Sequence, residues 1–294
     1  MTSSWKAPEE VLLHEALRTA SRADVVIACV GLTAWLEGEE MPPHVPGFDG
    51  GDRTTLTLPE SQVRLVSTLE ATGKPVILLL QSGSAISLGP LAQHAAAVLE
   101  AWYGGEFGGL AIAKVLNGDV DPAGRLPITF YRSVNDLPPF TDYSMKGRTY
   151  RYFRSVPEFP FGYGLSYSRF GYSGAEVSSD HVDAGDSVTV TVHVKNAGRM
   201  QREEVVQLYL LTEGDPSAPL RSLRGFRRIH LEPGAEHAVC FGLSPRDLAF
   251  AQGDGTMRIL PGSYRIWLGG GQPDTGAEGA WTAALITGEK TLPR

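Results

Sequence analysis

Apolar residues recur every three to four positions from Pro8 to Ala20, at Val11, Leu12, Ala16, Leu17 and Ala20. Glu9 and Glu10 place negative charge where the first turn of a helix leaves N–H groups unpaired, so the spacing predicts an amphipathic helix. The next run, Ala23 to Gly31, is almost continuously apolar and ends in glycine, the pattern of a strand buried on both faces. Pro59 to Gly73 returns to helical spacing through Val63, Val66 and Leu69, and Pro75 to Leu80 repeats the buried strand. A helix near Pro90 to Ala95, a strand from Ala97 to Trp102 and a glycine-opened helix from Gly109 to Leu116 continue the alternation. Strands alternating with helices of this length predict a parallel sheet with helices on both faces, and such sheets gather ligands at the carboxyl ends of their strands.

From Gly118 the texture changes to turn-rich sequence, then to a stretch dense in Pro, Tyr and Phe with little periodicity. Its aromatic residues (Tyr150, Tyr152, Phe153, Phe159, Phe161, Tyr163, Tyr167) are expected to order an irregular connector by packing. Ser187 to Val194 then alternates strictly, as a half-buried antiparallel strand does, and Val205 to Leu210 and Ser263 to Leu268 read similarly. The fold class expected is α/β followed by all-β: a parallel α/β domain over residues 1–130, a connector over 131–168, and an immunoglobulin-like or fibronectin type III-like β-sandwich over 169–294.

Composition narrows the function classes. The 294 residues suffice for two domains, and 42% hydrophobic with 20% charged residues is the balance of a globular protein. With 33 acids against 26 bases and no basic stripe, nucleic acid is not an expected partner. No apolar run approaches the roughly 20 residues of a membrane span, and the N-terminus lacks the basic-then-apolar pattern of an export signal. The chain as given therefore reads as soluble and cytoplasmic. Cys29 and Cys240 sit in apolar runs and are expected to behave as small buried hydrophobes. Neither they nor the seven histidines have metal-ligand spacing, so neither a metal site nor a cofactor is expected.

Chemistry concentrates in the loop after the first strand. It runs from Leu32 to Leu58, carries Glu37, Glu39 and Glu40 within four positions, and is far longer than connections in compact domains usually are. Three crowded carboxylates repel one another, which can raise the pKa of one of them. Trp35 offers a face on which a sugar ring could stack or a surface for packing on its own domain, and His44 is a further polar candidate. Asp52 and Arg53 suit an ion pair pinning the base of the loop. Gly104-Gly105 and Gly108-Gly109 lack the Lys-Ser/Thr of a phosphate loop, and no Gly-x-Ser-x-Gly elbow is present.

Four collinear segments carry a family resemblance: Leu36-Glu37-Gly38-Glu39-Glu40 with Gly51-Asp52-Arg53 through Leu58-Pro59; Tyr103-Gly104-Gly105-Glu106-Phe107-Gly108-Gly109 through Phe130; Gly147-Arg148-Thr149-Tyr150-Arg151-Tyr152-Phe153; and Phe159-Pro160-Phe161-Gly162-Tyr163-Gly164-Leu165-Ser166-Tyr167. Each resembles a motif from the C-terminal half of glycoside hydrolase family 3 β-glucosidases and β-xylosidases, which are retaining enzymes. The resemblance implies that the nucleophilic aspartate belongs to a (β/α)₈ barrel, which no segment here resembles. It also implies outer strands of the α/β domain upstream of Ala23, so the sheet is expected to be a partial one.

Retaining hydrolysis uses two carboxyl groups about 5–5.5 Å apart, one attacking the anomeric carbon and one protonating the departing oxygen. By resemblance the proton donor comes from the acidic loop, with Glu37 selected and Glu39 and Glu40 as alternatives. Trp35, His44, Asp52 and Arg53 are the substrate-binding candidates. A carbohydrate is the expected substrate once a barrel is supplied, and a homodimer or larger assembly is expected through the unpaired sheet edge. The alternatives are a stand-alone hydrolase of an ester or lactone and a non-catalytic module that binds sugars or a partner.

Overall fold

The computed structural model describes residues 8–38, 45–50, 52–213 and 218–293. Two compact units are formed, Met1–Lys114 with Phe130–Leu137, and Val115–Thr129 with Pro138–Arg294.

In the first unit the apolar runs become strands β1 (Val26–Gly31), β4 (Val76–Gln81) and β5 (Ala97–Glu100). They pair in parallel in the order β1-β4-β5, with Val26 opposite Val76 and Ile77 opposite Ala97. Between β1 and β4 lie the two-residue strands β2 (Phe48–Asp49) and β3 (Asp52–Arg53), a small antiparallel ladder inside the long loop. Helices α1 (Glu9–Ala20), α2 (Glu60–Glu70) and α3 (Pro90–His94) contribute Ala20, Val66, Leu69 and Leu91 to one core with Ala28, Val30, Val76, Leu78 and Leu80. The inward residues of the sheet are thus alternate positions on β1 and β4.

The opposite positions of β1 are open: Ile27 is 50% exposed and Cys29 is exposed. Helix α4 (Gly108–Leu116), though strongly apolar, buries none of its residues. A strand covered on both faces was the expectation for β1; its alternating burial shows one covered face instead. The same alternation corrects the expectation for the cysteines. Ala28 and Val30, and Val239 and Phe241, point inward, so Cys29 and Cys240 face outward, both as free thiols.

The second unit is a β-sandwich. Strands β6 (Phe170–Val177), β7 (His181–Asp183), β8 (Val188–Asn196), β9 (Arg202–Thr212), β10 (Ser222–Leu231), β11 (Glu236–Leu243), β14 (Gly262–Gly269) and β15 (Gly279–Thr287) build sheets in the orders β10-β9-β14-β15-β7 and β11-β8-β6. A small third sheet joins β12 (Phe250–Ala251), β13 (Met257–Ile259) and β16 (Lys290–Leu292). Valines 188, 190, 192 and 194 on β8 meet Val206, Leu208, Leu210, Ile266 and Leu268 in the core, the burial of alternate positions that a two-layer sandwich requires. Asn196 is fully buried, yet its amide donates to the Leu231 and Met200 carbonyls, each at 2.9 Å, and its Oδ1 accepts from Gly198 N–H at 2.9 Å and Ser168 Oγ at 2.6 Å. The aromatic segment packs onto this unit: Tyr150 stacks on Phe161 at 4.3 Å and meets Tyr209 edge-on at 6.1 Å.

Among the described residues no helix is long and apolar enough to cross a membrane, and no group of His, Cys, Asp and Glu could hold a metal ion.

Candidate active site

The site is built from the loops that leave the carboxyl ends of β1, β4 and β5, where a parallel sheet offers unoccupied backbone groups. At the end of β1 the chain must turn against β4. Gly31 does so at φ +142°, and a Cβ there would lie 2.0 Å from the Gln81 carbonyl oxygen. The Gln62 amide of α2 fixes this residue in both directions, accepting from Gly31 N–H at 2.7 Å and donating to its carbonyl at 2.9 Å. Thr33 then starts a tight turn, its carbonyl accepting from Leu36 N–H at 2.9 Å and Glu37 N–H at 3.1 Å. The turn sends Leu36 down against the core, leaves Trp35 56% exposed, and brings Glu37 across to the neighbouring loops.

The Glu37 carboxylate is the point where those loops meet. Its Oε2 accepts from Gly83 N–H at 2.7 Å and from the Tyr103 hydroxyl, while Oε1 accepts from the Ser84 hydroxyl. Gly83 allows the close approach, since a Cβ there would crowd Tyr103 at 3.1 Å and Glu37 at 3.2 Å. Partial burial pushes the Glu37 pKa up, but the bonds from Ser84, Tyr103 and Gly83 and the nearby Arg53 charge outweigh it and hold the group below the ordinary carboxylate range.

Arg53, on β3 where the long loop returns, reaches the same place. Its Nη1 donates to Ser84 Oγ and the Ala85 carbonyl, both at 3.0 Å, and its Nε and Nη2 donate to the Thr55 and Thr57 carbonyls at 3.0 and 3.2 Å. Burial lowers its pKa, and the Glu37 charge partly offsets this. The expected ion pair with Asp52 does not form: Asp52 faces Asp49 across the small ladder, and the guanidinium turns instead to carbonyls, Ser84 and the field of Glu37.

On the third loop, Trp102 occupies the left-handed region at φ +52°, packs edge-on to Phe130 at 6.1 Å, and donates its N–H to Glu100 Oε1 at 3.1 Å. That strained residue ends the strand two positions short of the sequence expectation and swings Tyr103 towards Glu37. Burial raises the Glu100 carboxyl to about 7, against the Trp102 hydrogen bond and with a contribution from the Glu37 charge, and its Oε2 is buried with no hydrogen-bond partner. Burial, and then the bond to Glu37, push the Tyr103 phenol up to about 12, so it stays a donor.

Of the residues named from sequence, Glu37 and Arg53 converge on Ser84, Asp52 lies on the adjacent ladder, and Trp35 stands on the exposed side of the turn. Glu39, Glu40 and His44 lie outside the described residues. Sequence reasoning missed Tyr103, Glu100 and Gln62 and gave Ser84 no role. Position at the carboxyl end of a parallel strand is the signal that could have found Ser84, Glu100 and Tyr103. Gln62 has none, because its function is a backbone contact made from the neighbouring helix.

Comparison with known proteins fits this architecture. Residues 5–167 match the glycosyl hydrolase family 3 C-terminal domain, and residues 204–272 match a fibronectin type III-like domain. A xylan 1,4-beta-xylosidase of Xylanibacter ruminicola is 44% identical over 257 residues, covering 87% of this chain and 30% of the relative. A periplasmic beta-glucosidase of Salmonella typhimurium is 37% identical over 273 residues, covering 88% and 34%. Among solved structures, a β-glucosidase from Erythrobacter marinus superposes with TM-score 0.80 at 34% identity, over 95% of this chain and 36% of that one. A GH3 beta-glucosidase from Bifidobacterium adolescentis gives TM-score 0.82 at 29% identity, over 96% and 42%. The chain spans about a third of the length of the curated relatives it matches. It belongs to glycosyl hydrolase family 3, of which it carries the C-terminal domain followed by the fibronectin type III-like domain.

Proposed function

We propose that this chain is the proton-donor portion of a retaining β-glycosidase acting on β-glucosides or β-xylosides, and that the nucleophile belongs to a barrel region that it does not itself contain. The observation that carries this reading is the placement of the acidic loop: Glu37, the first of its carboxylates, sits at the carboxyl ends of three parallel strands amid a Tyr, a Ser and an Arg. Relatives named as xylosidases and glucosidases, each about three times as long, support it. Within the loop the donor is drawn from Glu37, Glu39 and Glu40, with Trp35, His44, Asp52 and Arg53 as the residues nearest a bound sugar. We further propose that the open face and edge of β1 pair the chain with a second copy.

Kinetics with leaving groups of different basicity test the catalytic proposal. The chain alone is expected to give no turnover of 4-methylumbelliferyl β-xyloside or β-glucoside. Joined to the upstream two-thirds of the Xylanibacter ruminicola xylosidase it should turn one of them over. Replacing Glu37, Glu39 and Glu40 together with Gln should then cost about 10²–10⁴-fold, the usual contribution of a general acid. A dinitrophenyl leaving group, which departs without a proton, should lose far less. Turnover by the chain alone, or turnover by the joined protein that survives the triple replacement with both leaving groups, would refute the proposal.

A further inference from the structure

The loops after β1, β4 and β5, together with the returning arm of the long loop, share a single fixed point. Glu37 Oε2 takes the Gly83 amide and the Tyr103 hydroxyl, and Oε1 takes the Ser84 hydroxyl, whose oxygen in turn accepts Arg53 Nη1 at 3.0 Å. We infer that Glu37 is a positioning residue, an ionised strut that ties the acidic loop to the strand ends through Gly83, Ser84 and Tyr103, and that it is not itself the group that yields the proton. This narrows the donor role proposed above for the loop, on which it rests.

The chemistry of the three donors decides between the two roles. A carboxylate only accepts, and here it accepts from three donors at once. A proton on Oε2 would set an O–H against the Gly83 N–H, which the backbone fixes in place, and a proton on Oε1 would oblige the Ser84 hydroxyl to turn round and accept. In either position the negative charge that strengthens the three bonds is lost, and the loop is tied less tightly. A general acid needs the reverse, surroundings that keep it protonated near the working pH. Burial does act in that direction on Glu37, but the three bonds and Arg53 overcome it. The titratable and charged groups coupled to it are Arg53, Tyr103 and Glu100, of which the first two favour the charged form. Both described ends of the loop are held at this point, the first by the Thr33 carbonyl, which accepts from Glu37 N–H, and the second by Arg53, which donates to Ser84 and to the Thr55 and Thr57 carbonyls.

Carbon-13 NMR of the full chain labelled at glutamate carboxyl carbons tests this, with the Glu37 signal assigned by its loss in Glu37→Gln. The expected result is a Glu37 midpoint below that of an ordinary glutamate, raised by Ser84→Ala and by Tyr103→Phe. In both variants the Gly83 amide should exchange about tenfold faster as one charge-assisted tie is lost, while amides of the β-sandwich keep their protection. A Glu37 midpoint at or above the ordinary value overturns the assignment, and the wild-type titration alone decides it if a variant fails to fold. Since no turnover is measured, failure here is separate from failure of the glycosidase proposal.

Discussion

Glu100 Oε1 accepts the N–H of Trp102 at 3.1 Å, closing a two-residue turn that holds Trp102 at φ +52° and delivers Tyr103 to the site. The second oxygen of the same carboxyl is buried without a partner, and burial lifts the group from its ordinary value to about 7. Between these two values the folded chain binds a proton that the unfolded chain has released. The stabilisation is complete below the ordinary midpoint of 4.5 and is lost as pH rises through about 7. The full effect is on the order of 3 kcal/mol. Melting temperature of the first unit should fall between pH 5 and 8 in the native chain. In Glu100→Gln, which cannot ionise, that fall should be largely absent; equal slopes in the two proteins would show that Glu100 does not titrate in this window.

Gly31 has no room for a side chain. At φ +142°, with the Gln81 carbonyl 2.0 Å from where a Cβ would stand, Gly31→Ala must displace β1 from β4. A cost of about 3 kcal/mol or more is expected from the combined clash and backbone strain. Gln62→Ala, which removes the two bonds around the same residue, should cost less, about 1–3 kcal/mol. Urea denaturation followed by hydrogen exchange in β1 and β4 would measure both; a Gly31→Ala protein as stable as the native one would contradict the geometry.

Arg125 and Glu204 meet at 2.6 Å with side chains only 9% and 6% exposed. Arg125 also donates to the carbonyls of Gly270, Ala123 and Gly124, so segment 123–125 is held to the sandwich by one cation. Removing one partner strands the other as an unpaired buried charge. Glu204→Leu should therefore destabilise the second unit by about 3–5 kcal/mol, and Arg125→Met with Glu204→Leu should recover much of it. Differential calorimetry would read this as a lowered, then partly restored, transition.

The proposed self-association rests on β1. Its edge pairs with no strand among the described residues, and Ile27 and Val25 are about half exposed beside it. Unpaired strand edges with apolar side chains recruit other chains, and an inward or edge lysine is the usual guard against it. Multi-angle light scattering at micromolar concentration should show a dimer or larger species, reduced by Ile27→Lys; a monomer throughout would reject the proposal.

Much of this fold is legible in the sequence because hydrophobic period and turn residues are local signals. The strands at 26–31, 76–81 and 188–196 and the helices at 9–20 and 60–70 announce themselves through spacing alone. Burial on one face of β1 rather than both was not legible, because a short apolar run reads the same whether one side or two are covered. The family resemblance singles out Glu37, which the run of acids at a strand end does not by itself separate from Glu39 and Glu40, and no local signal in the sequence ties its three donors to it. Gly83, Ser84 and Tyr103 are 46 to 66 positions away, and only the parallel register of β1, β4 and β5 brings them together. The Arg53 contact with Ser84 was hidden for the same reason, and the neighbouring Asp52 offered a more obvious partner.

The proposed division of labour, with the proton donor on this chain and the nucleophile on a barrel region, is open to direct chemical trapping. A dinitrophenyl 2-deoxy-2-fluoro-β-xyloside or -glucoside lets a retaining glycosidase form its covalent intermediate but slows its hydrolysis. Peptide mass mapping after treatment of the chain joined to the upstream region of the Xylanibacter ruminicola xylosidase should find one fluorosugar, attached in the upstream region, and the 294 residues alone should stay unmodified. A fluorosugar bonded to any carboxylate of these 294 residues would contradict the proposed split.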